Sequence, residues 1–333
     1  MKHKTALFGV CFGIALILFG GILLFVQRKS SQQEGEALTS SFFALDTMCE
    51  VTVYGTDDLT PYRSTIERLG KELDRYDSES DVSKFNTVGS AVLTGASEEV
   101  FERSKQLYEQ YGGVDVTCGG LISLWGITSD SPRVPSDTQI KAELDKTGFD
   151  KLQQDGSVVN APSGTQLDFG SVAKGYILDR VKKQLDDDNS GCAVISLGSS
   201  TLLYGSKPDG EPFRTGIKDP SSPDRLLLKF ESGSCFVSTS GGYERYFESG
   251  GKRYIHILDL ATGRPSESDL ASVTVICQDG LKSDFLSTAI FIGGTKGLDR
   301  YLEDDSIEVI AIDKDNNIHY SPSLEGRISM TGE

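Results

Sequence analysis

The chain has 333 residues, 38% hydrophobic and 25% charged, a globular balance that excludes disordered, collagenous and disulfide-scaffold classes. Lys2, Lys4, Arg28 and Lys29 lie in an acid-free first stretch, and beyond them 29 basic residues face 49 acidic ones, a net −20. A body this acidic lacks the basic footprint that nucleic acid requires, so DNA and RNA are excluded as partners. A phosphorylated ligand would need local compensation from a metal, backbone amides or a few placed cations.

Ala6 to Val26 is an unbroken run of 21 apolar residues and glycines, long enough to cross a hydrocarbon core. A cleaved signal peptide has a shorter apolar region, roughly 7 to 15 residues, ending in a small-x-small site. No such site precedes Gln27. Residues 1–29 therefore read as an uncleaved membrane anchor, with a cleaved signal segment as the alternative, 30–40 as a polar tether and 41–333 as the folded body. Basic residues flank both ends of the run, so charge alone does not orient it; an extracytoplasmic body is expected.

Along the body, C-E-V-T-V-Y-G reads as a strand ended by Gly55, followed by a helix from Tyr62 to Tyr76 through Ile66, Leu69 and Leu73. A second helix is expected from Ser97, as its N-cap, to Tyr111, stopped by Gly112-Gly113. Further helices follow Ser136 and Gly170, the latter with Ile177, Leu178, Val181 and Leu185 on its apolar face. Strands are expected at Ala193–Leu197, Leu226–Phe230, Cys235–Ser238, Tyr254–Leu258, Val273–Cys277 and Val309–Ile312. Without a regular βαβ alternation the pattern is α+β, mixed sheets with packed helices, and no internal boundary. Cys49, Cys118, Cys192, Cys235 and Cys277 show no ligand spacing and read as small buried hydrophobes.

Three segments could carry chemistry. In the helix Gly280–Ile292, Asp284, Ser287 and Thr288 fall on one face, an oxygen set suited to Mg²⁺ or to plain helix capping. L-D-F-G-S-V-A-K-G-Y runs through Gly170 into a helix with Lys174 in its first turn, which offers amides and a cation to an anion but lacks P-loop spacing. His256 stands among alternating apolar residues; it is a packing residue unless metal, phosphate and nucleophile converge on it, when it could accept a proton. No G-x-S-x-G elbow supports a hydrolase triad.

In this order, F-F-A-L-D-T-M, L-D-R-Y-D-S-E-S-D-V-S-K-F-N, G-G-V-D-V-T-C-G-G-L-I-S-L-W-G, L-D-F-G-S-V-A-K-G-Y, S-T-S-G-G-Y-E-R-Y-F, H-I-L-D-L-A-T-G-R-P and S-D-F-L-S-T-A resemble the ApbE family of FAD:protein FMN transferases from about Phe42 to Gly294. The resemblance implies an ApbE-like fold that binds FAD as substrate with Mg²⁺, moves FMN onto a Ser or Thr hydroxyl of an exported protein and releases AMP. By motif position, Leu45, Tyr76, Gly113, Val114, Asp115, Asp168, Lys174 and Leu258 should line the FAD site. The metal should fall on Asp284 and Thr288 with Ser287 beside them and the Ser171 carbonyl, and His256 becomes the general base. The chain departs from the family pattern at Asp46 and Ser199, where glycine is common. Attack by water would instead make an FAD pyrophosphatase. A membrane-tethered flavin-binding module that performs no reaction would not need Asp284, Thr288 and His256 together.

Overall fold

The computed structural model describes residues 36–331. The anchor and most of the tether inferred above lie outside the described residues. Eight strands form one sheet in the order Ala37–Ala44, Thr47–Tyr54, Cys192–Leu197, Ser200–Gly205, Cys235–Gly241, Leu270–Cys277, Glu308–Asp313 and Ile318–Tyr320. Every neighbouring pair is antiparallel. Period-two alternation assigns the two faces. Ala193, Ile195, Val273, Val275, Val309 and Ala311 point to one core, while Val194, Ile276, Ile310 and Ile312 point to another.

Helices α1 (Thr60–Glu72), α2 (Asp81–Val88) and α3 (Gly95–Tyr111) contribute to the first core. The short α4 (Gly119–Trp125) and α5 (Asp137–Leu144) follow in the chain, then α6 (Ala173–Asp187) and α7 (Gly280–Gly293), which complete that helical layer. Behind the sheet, strands Phe213–Asp219, Ser222–Ser232 and Ile328–Met330 form a smaller sheet whose Phe213, Ile217, Leu228 and Phe230 close the second core. Helices α4 and α5 pack through Leu121, Trp125 and Ile140 against Leu258 in a third, small cluster. The strands most legible in the sequence are those buried on both faces, which read as continuous apolar runs.

Several boundaries differ from the sequence reading. Ala37 already pairs with Tyr54, so the body begins before Ser41. Helix α1 ends at Glu72 because Asp74 and Asp77 take the N–H groups of Tyr76 and Glu79 and turn the chain, leaving Tyr76 in a turn. Helix α3 begins at Gly95, not Ser97: Thr94 is held at the start by Asp81, while Ser97 is buried inside and donates to the Glu72 carbonyl. The single strand expected at Tyr254–Leu258 divides. Lys252–Ile255 pairs with Tyr246–Ser249 in a hairpin, Leu258–Asp259 pairs with Arg264–Pro265, and His256 occupies the break. Cys49, Cys192, Cys235 and Cys277 are buried, as expected, and Cys118 is half-buried.

Candidate active site

Asp279 caps α7 by accepting from the Lys282 N–H, and one turn later Asp284 is only 5% exposed. Its Oδ2 accepts the N–H of Gly175 at 2.6 Å and its Oδ1 accepts the Ser200 hydroxyl at 2.5 Å. Among the described residues no cationic side chain pairs with this carboxylate. Buried carboxylates are normally paired with a cation or bound to a metal. Beside it, Ser240 Oγ lies 2.8 Å from Ser287 Oγ and 3.0 Å from Thr288 Oγ1, and the Ser287 hydroxyl also bonds the Asp284 carbonyl. The expected stripe of Asp284, Ser287 and Thr288 is thus brought together, with Ser287 engaged inside the protein and Thr288 at its half-buried edge.

The loop into α6 supplies the facing wall. The N–H of Gly175 goes to Asp284, and the Ser171 carbonyl four residues back accepts no backbone hydrogen bond among the described residues. One carboxylate, several hydroxyls and a free carbonyl form an all-oxygen set, the chemistry Mg²⁺ selects. No group of three or more His, Cys, Asp or Glu side chains converges among the described residues, so softer metals have no comparable set. These residues fit a hard divalent cation. Lys174, in the same turn, donates to Ser199 Oγ at 2.6 Å.

His256 lies near enough to Lys174 for that cation to act on its ring. Its Nδ1 lies 3.1 Å from the Arg245 carbonyl, whose oxygen also accepts the His256 N–H at 3.0 Å. A carbonyl can only accept, so Nδ1 carries the proton and Nε2 is left as an acceptor. Surrounding protein strips water from the ring and pushes its pKa down to about 4, with Arg245 and Lys174 reinforcing the shift against the carbonyl bond. Glu244 is raised above the usual carboxylate range, first by desolvation, with Lys174 and Arg245 opposing it. Glu244 is exposed at the surface and His256 half-buried, with protein packed round both. Arg245 Nη2 donates to the Asp46 carbonyl at 2.6 Å, which brings the tip of the first hairpin into the same wall.

The residues expected around FAD fall at the following places. Leu45 and Asp46 are the two central residues of that hairpin and both have φ of 54°. The left-handed region costs a leucine roughly 1–2 kcal/mol. Leu45 is held there with its side chain over Gly70 of α1, where an added Cβ would lie 2.5 Å from Leu45 Cδ2. Gly113 has φ of 84° and abuts Ala289, next to Thr288; a Cβ there would sit 3.0 Å from the Ala289 methyl. Val114 and Asp115 are buried, and desolvation raises the Asp115 carboxyl despite its bond from the Thr117 N–H. Asp168 accepts from Gly170 N–H at 2.8 Å and pairs with Arg75 at 3.1 Å. Tyr76 is 74% exposed, one face covered by the Arg75 guanidinium at 5.4 Å from the ring centroid. Leu258 is buried in the small cluster with Leu121 and Trp125, two residues beyond His256. The Tyr76–Asp168 group and the Lys174–Asp284 group are joined through the chain from Asp168 to Gly175, and among the described residues no hydrogen bond links them directly.

Sequence reasoning did not single out Arg75, Ser200, Ser240, Glu244 or Arg245. Ser240, Glu244 and Arg245 stand inside S-T-S-G-G-Y-E-R-Y-F, and Ser200 follows the Gly198-Ser199 turn. Ser200 meets Asp284, Ser240 meets Thr288 and Arg245 meets the Asp46 carbonyl across tertiary contacts that local spacing does not encode.

The ApbE family model matches residues 45–311. The FAD:protein FMN transferase of Vibrio cholerae is 31% identical over 261 residues, covering 75% of this chain and 77% of that protein. The FAD:protein FMN transferase of Treponema pallidum is 28% identical over 315 residues, 86% of this chain and 87% of that protein. Among solved structures, the ApbE protein of Thermotoga maritima superposes with a TM-score of 0.82 at 28% identity, over 88% of this chain and 99% of that one. The flavinyl transferase ApbE of Pseudomonas stutzeri gives 0.79 at 28% identity over 90% and 98%. In sequence and in fold, this chain belongs to the ApbE family.

Proposed function

We propose that the chain is a Mg²⁺-dependent FAD:protein FMN transferase that modifies a Ser or Thr hydroxyl of exported proteins. The observation that carries this reading is the buried Asp284, without a cationic partner among the described residues, set beside Ser240, Ser287, Thr288 and the Ser171 carbonyl, with Lys174 in the same turn of α6 and close enough to His256 to act on its ring.

Asp284, Thr288 and the Ser171 carbonyl would hold Mg²⁺, with Ser287 fixing the turn between them. When bound, Mg²⁺ supplies charge neutralisation at the pyrophosphate. Lys174 adds a cation and α6 its N-terminal dipole to the same oxygens. Tyr76 offers an open ring face for stacking a flavin or adenine. Asp115 and Asp168 present acceptors to ribityl, ribose or base N–H groups. The positive φ at Gly113 lets the backbone approach without a side chain in the way.

The acceptor hydroxyl oxygen attacks the FMN-side phosphorus while His256 Nε2 takes its proton. The bond from that phosphorus to the bridging oxygen breaks, and AMP leaves with the bridging oxygen and its electron pair. The low pKa of His256 keeps the ring neutral and able to accept throughout the neutral range. The apolar run Ala6–Val26 supports an anchor that holds the body on the extracytoplasmic side, where exported acceptors are met.

The test is incubation of the protein with FAD, Mg²⁺ and an acceptor domain, reading acceptor mass and free AMP. AMP with no modified acceptor would favour pyrophosphate hydrolysis, and FAD bound intact with neither product would favour a binding module.

A further inference from the structure

Helices α6 and α7 begin with the same spacing, Gly-x-x-x-Asp: Gly175 to Asp179 and Gly280 to Asp284. The two glycines meet backbone to backbone, so that a methyl on either would run into the carbonyl of the other. From this contact the carboxylates cross over. Asp284 of α7 accepts the Gly175 N–H of α6 at 2.6 Å, while Asp179 of α6 accepts the Gly280 and Leu281 N–H groups of α7 at 2.6 and 3.2 Å. Each helix start is capped by the other helix, which satisfies amides that a helix leaves unpaired.

The two carboxylates differ in their charge partners. Asp179 is paired with Arg103 of α3 at 2.9 Å, and the second arm of the same guanidinium reaches Asp279, the N-cap of α7, at 2.6 Å. Asp284 has no such cation among the described residues. We propose that Arg103, Asp179 and Asp279 form a positioning brace that fixes the start of α7 against α6 and thereby sets the divalent-cation affinity of the Asp284 site. The inference rests on the metal reading given above. A slide of α7 past α6 moves Asp284 relative to Ser171, Gly175 and Ser200 together, and Mg²⁺ demands near-ideal octahedral geometry at about 2.0–2.1 Å, so small displacements cost affinity.

Field and position make opposite demands on one variant, Arg103→Gln. Removing a positive charge near the site should tighten cation binding if only the electrostatic field matters. Removing the fork that holds both Asp179 and Asp279 should weaken it if the brace positions Asp284. The experiment titrates the full-length chain with Mn²⁺ in the presence of FAD and without acceptor, reading bound metal by electron paramagnetic resonance, with thermal melting alongside. Arg103→Gln and Asp179→Asn are each expected to weaken Mn²⁺ binding tenfold or more, and Arg103→Lys, which keeps the charge and loses the fork, to weaken it as well. FAD binding without metal should stay unchanged in all three. Mn²⁺ affinity equal to or tighter than wild type in a folded Arg103→Gln protein overturns the inference and leaves the metal site standing. If Asp179→Asn does not fold, Arg103→Gln decides alone, since it retains both carboxylates that accept the backbone N–H groups at the start of α7. A wild-type chain with no saturable Mn²⁺ site, or one unaffected by Asp284→Ala, overturns the metal reading and the brace with it.

Discussion

In the proposed mechanism Asp284 and His256 divide the chemistry, and each has a distinct expected consequence when changed. Asp284→Ala is expected to lower Mg²⁺-dependent turnover by two orders of magnitude or more, the several kcal/mol that a bound cation contributes. The same change leaves the Gly175 N–H and Ser200 hydroxyl without their acceptor, at about 1–3 kcal/mol for each buried group. Melting curves should therefore show a weakened but folded protein, and unchanged turnover would refute the site. His256→Ala should slow transfer by about 10²–10⁴-fold with little effect on FAD binding; equal loss in both would make it a binding residue. Because the His256 pKa is held near 4 rather than 6.5, the acid limb of the rate profile is expected close to 4, with no break near 6.5. The sign for stability follows from linkage. The unfolded chain takes up a proton near 6.5 that the folded chain refuses until about 4, so this residue's contribution is present above 6.5 and falls as the pH drops through that window. The stripe of Asp284, Ser287 and Thr288 was legible from helical spacing alone. Lys174 and His256 were singled out with it by motif resemblance, because the packing of α6 on α7 and the loop that carries His256 leave no local trace in the sequence.

At the scale of elements, the contact between α6 and α7 has no room for a side chain. Gly175→Ala would drive a methyl into the Gly280 carbonyl and is expected to cost about 3 kcal/mol of stability through overpacking, with metal affinity falling in parallel. Thermal and denaturant unfolding of that variant check it, and an unchanged midpoint would mean that the helices can part freely. The core faces of α6 and of the strands Leu270–Cys277 and Glu308–Asp313 were plain in the sequence because their apolar residues are nearly continuous or helically spaced. What escaped was held by polar side chains acting at a distance. Helix α2 depends on Ser80, whose hydroxyl accepts from the Ser83 N–H, and the true start of α3 on Asp81 holding Thr94. His256 looked like a strand residue because Ile255 and Ile257 flank it, yet the hairpin Tyr246–Ile255 ends one residue earlier. That break frees its Nδ1 to meet the Arg245 carbonyl.

For the whole molecule, one large antiparallel sheet carries the helical layer that holds Asp284 and Lys174, while the loops at one end bring in His256, Arg245 and Leu45. The first strand is part of this frame from Ala37 onward. Removing residues 1–35 is therefore expected to leave turnover on a soluble acceptor intact and to release the body from membranes, whereas removal through Ser40 cuts four pairs from the first strand and should lower the melting temperature. Fractionation and melting of the two truncations separate these outcomes. The family expectation for the fold holds over the sheet and its helices. The anchor proposed for Ala6–Val26 rests on composition alone and lies outside the described residues. The central claim is tested most directly by incubating the protein with FAD, Mg²⁺ and an acceptor domain and measuring acceptor mass and AMP together. A gain of one FMN per acceptor, matched mole for mole by AMP and lost in Asp284→Ala, is the expected result; an unmodified acceptor with intact FAD would contradict it.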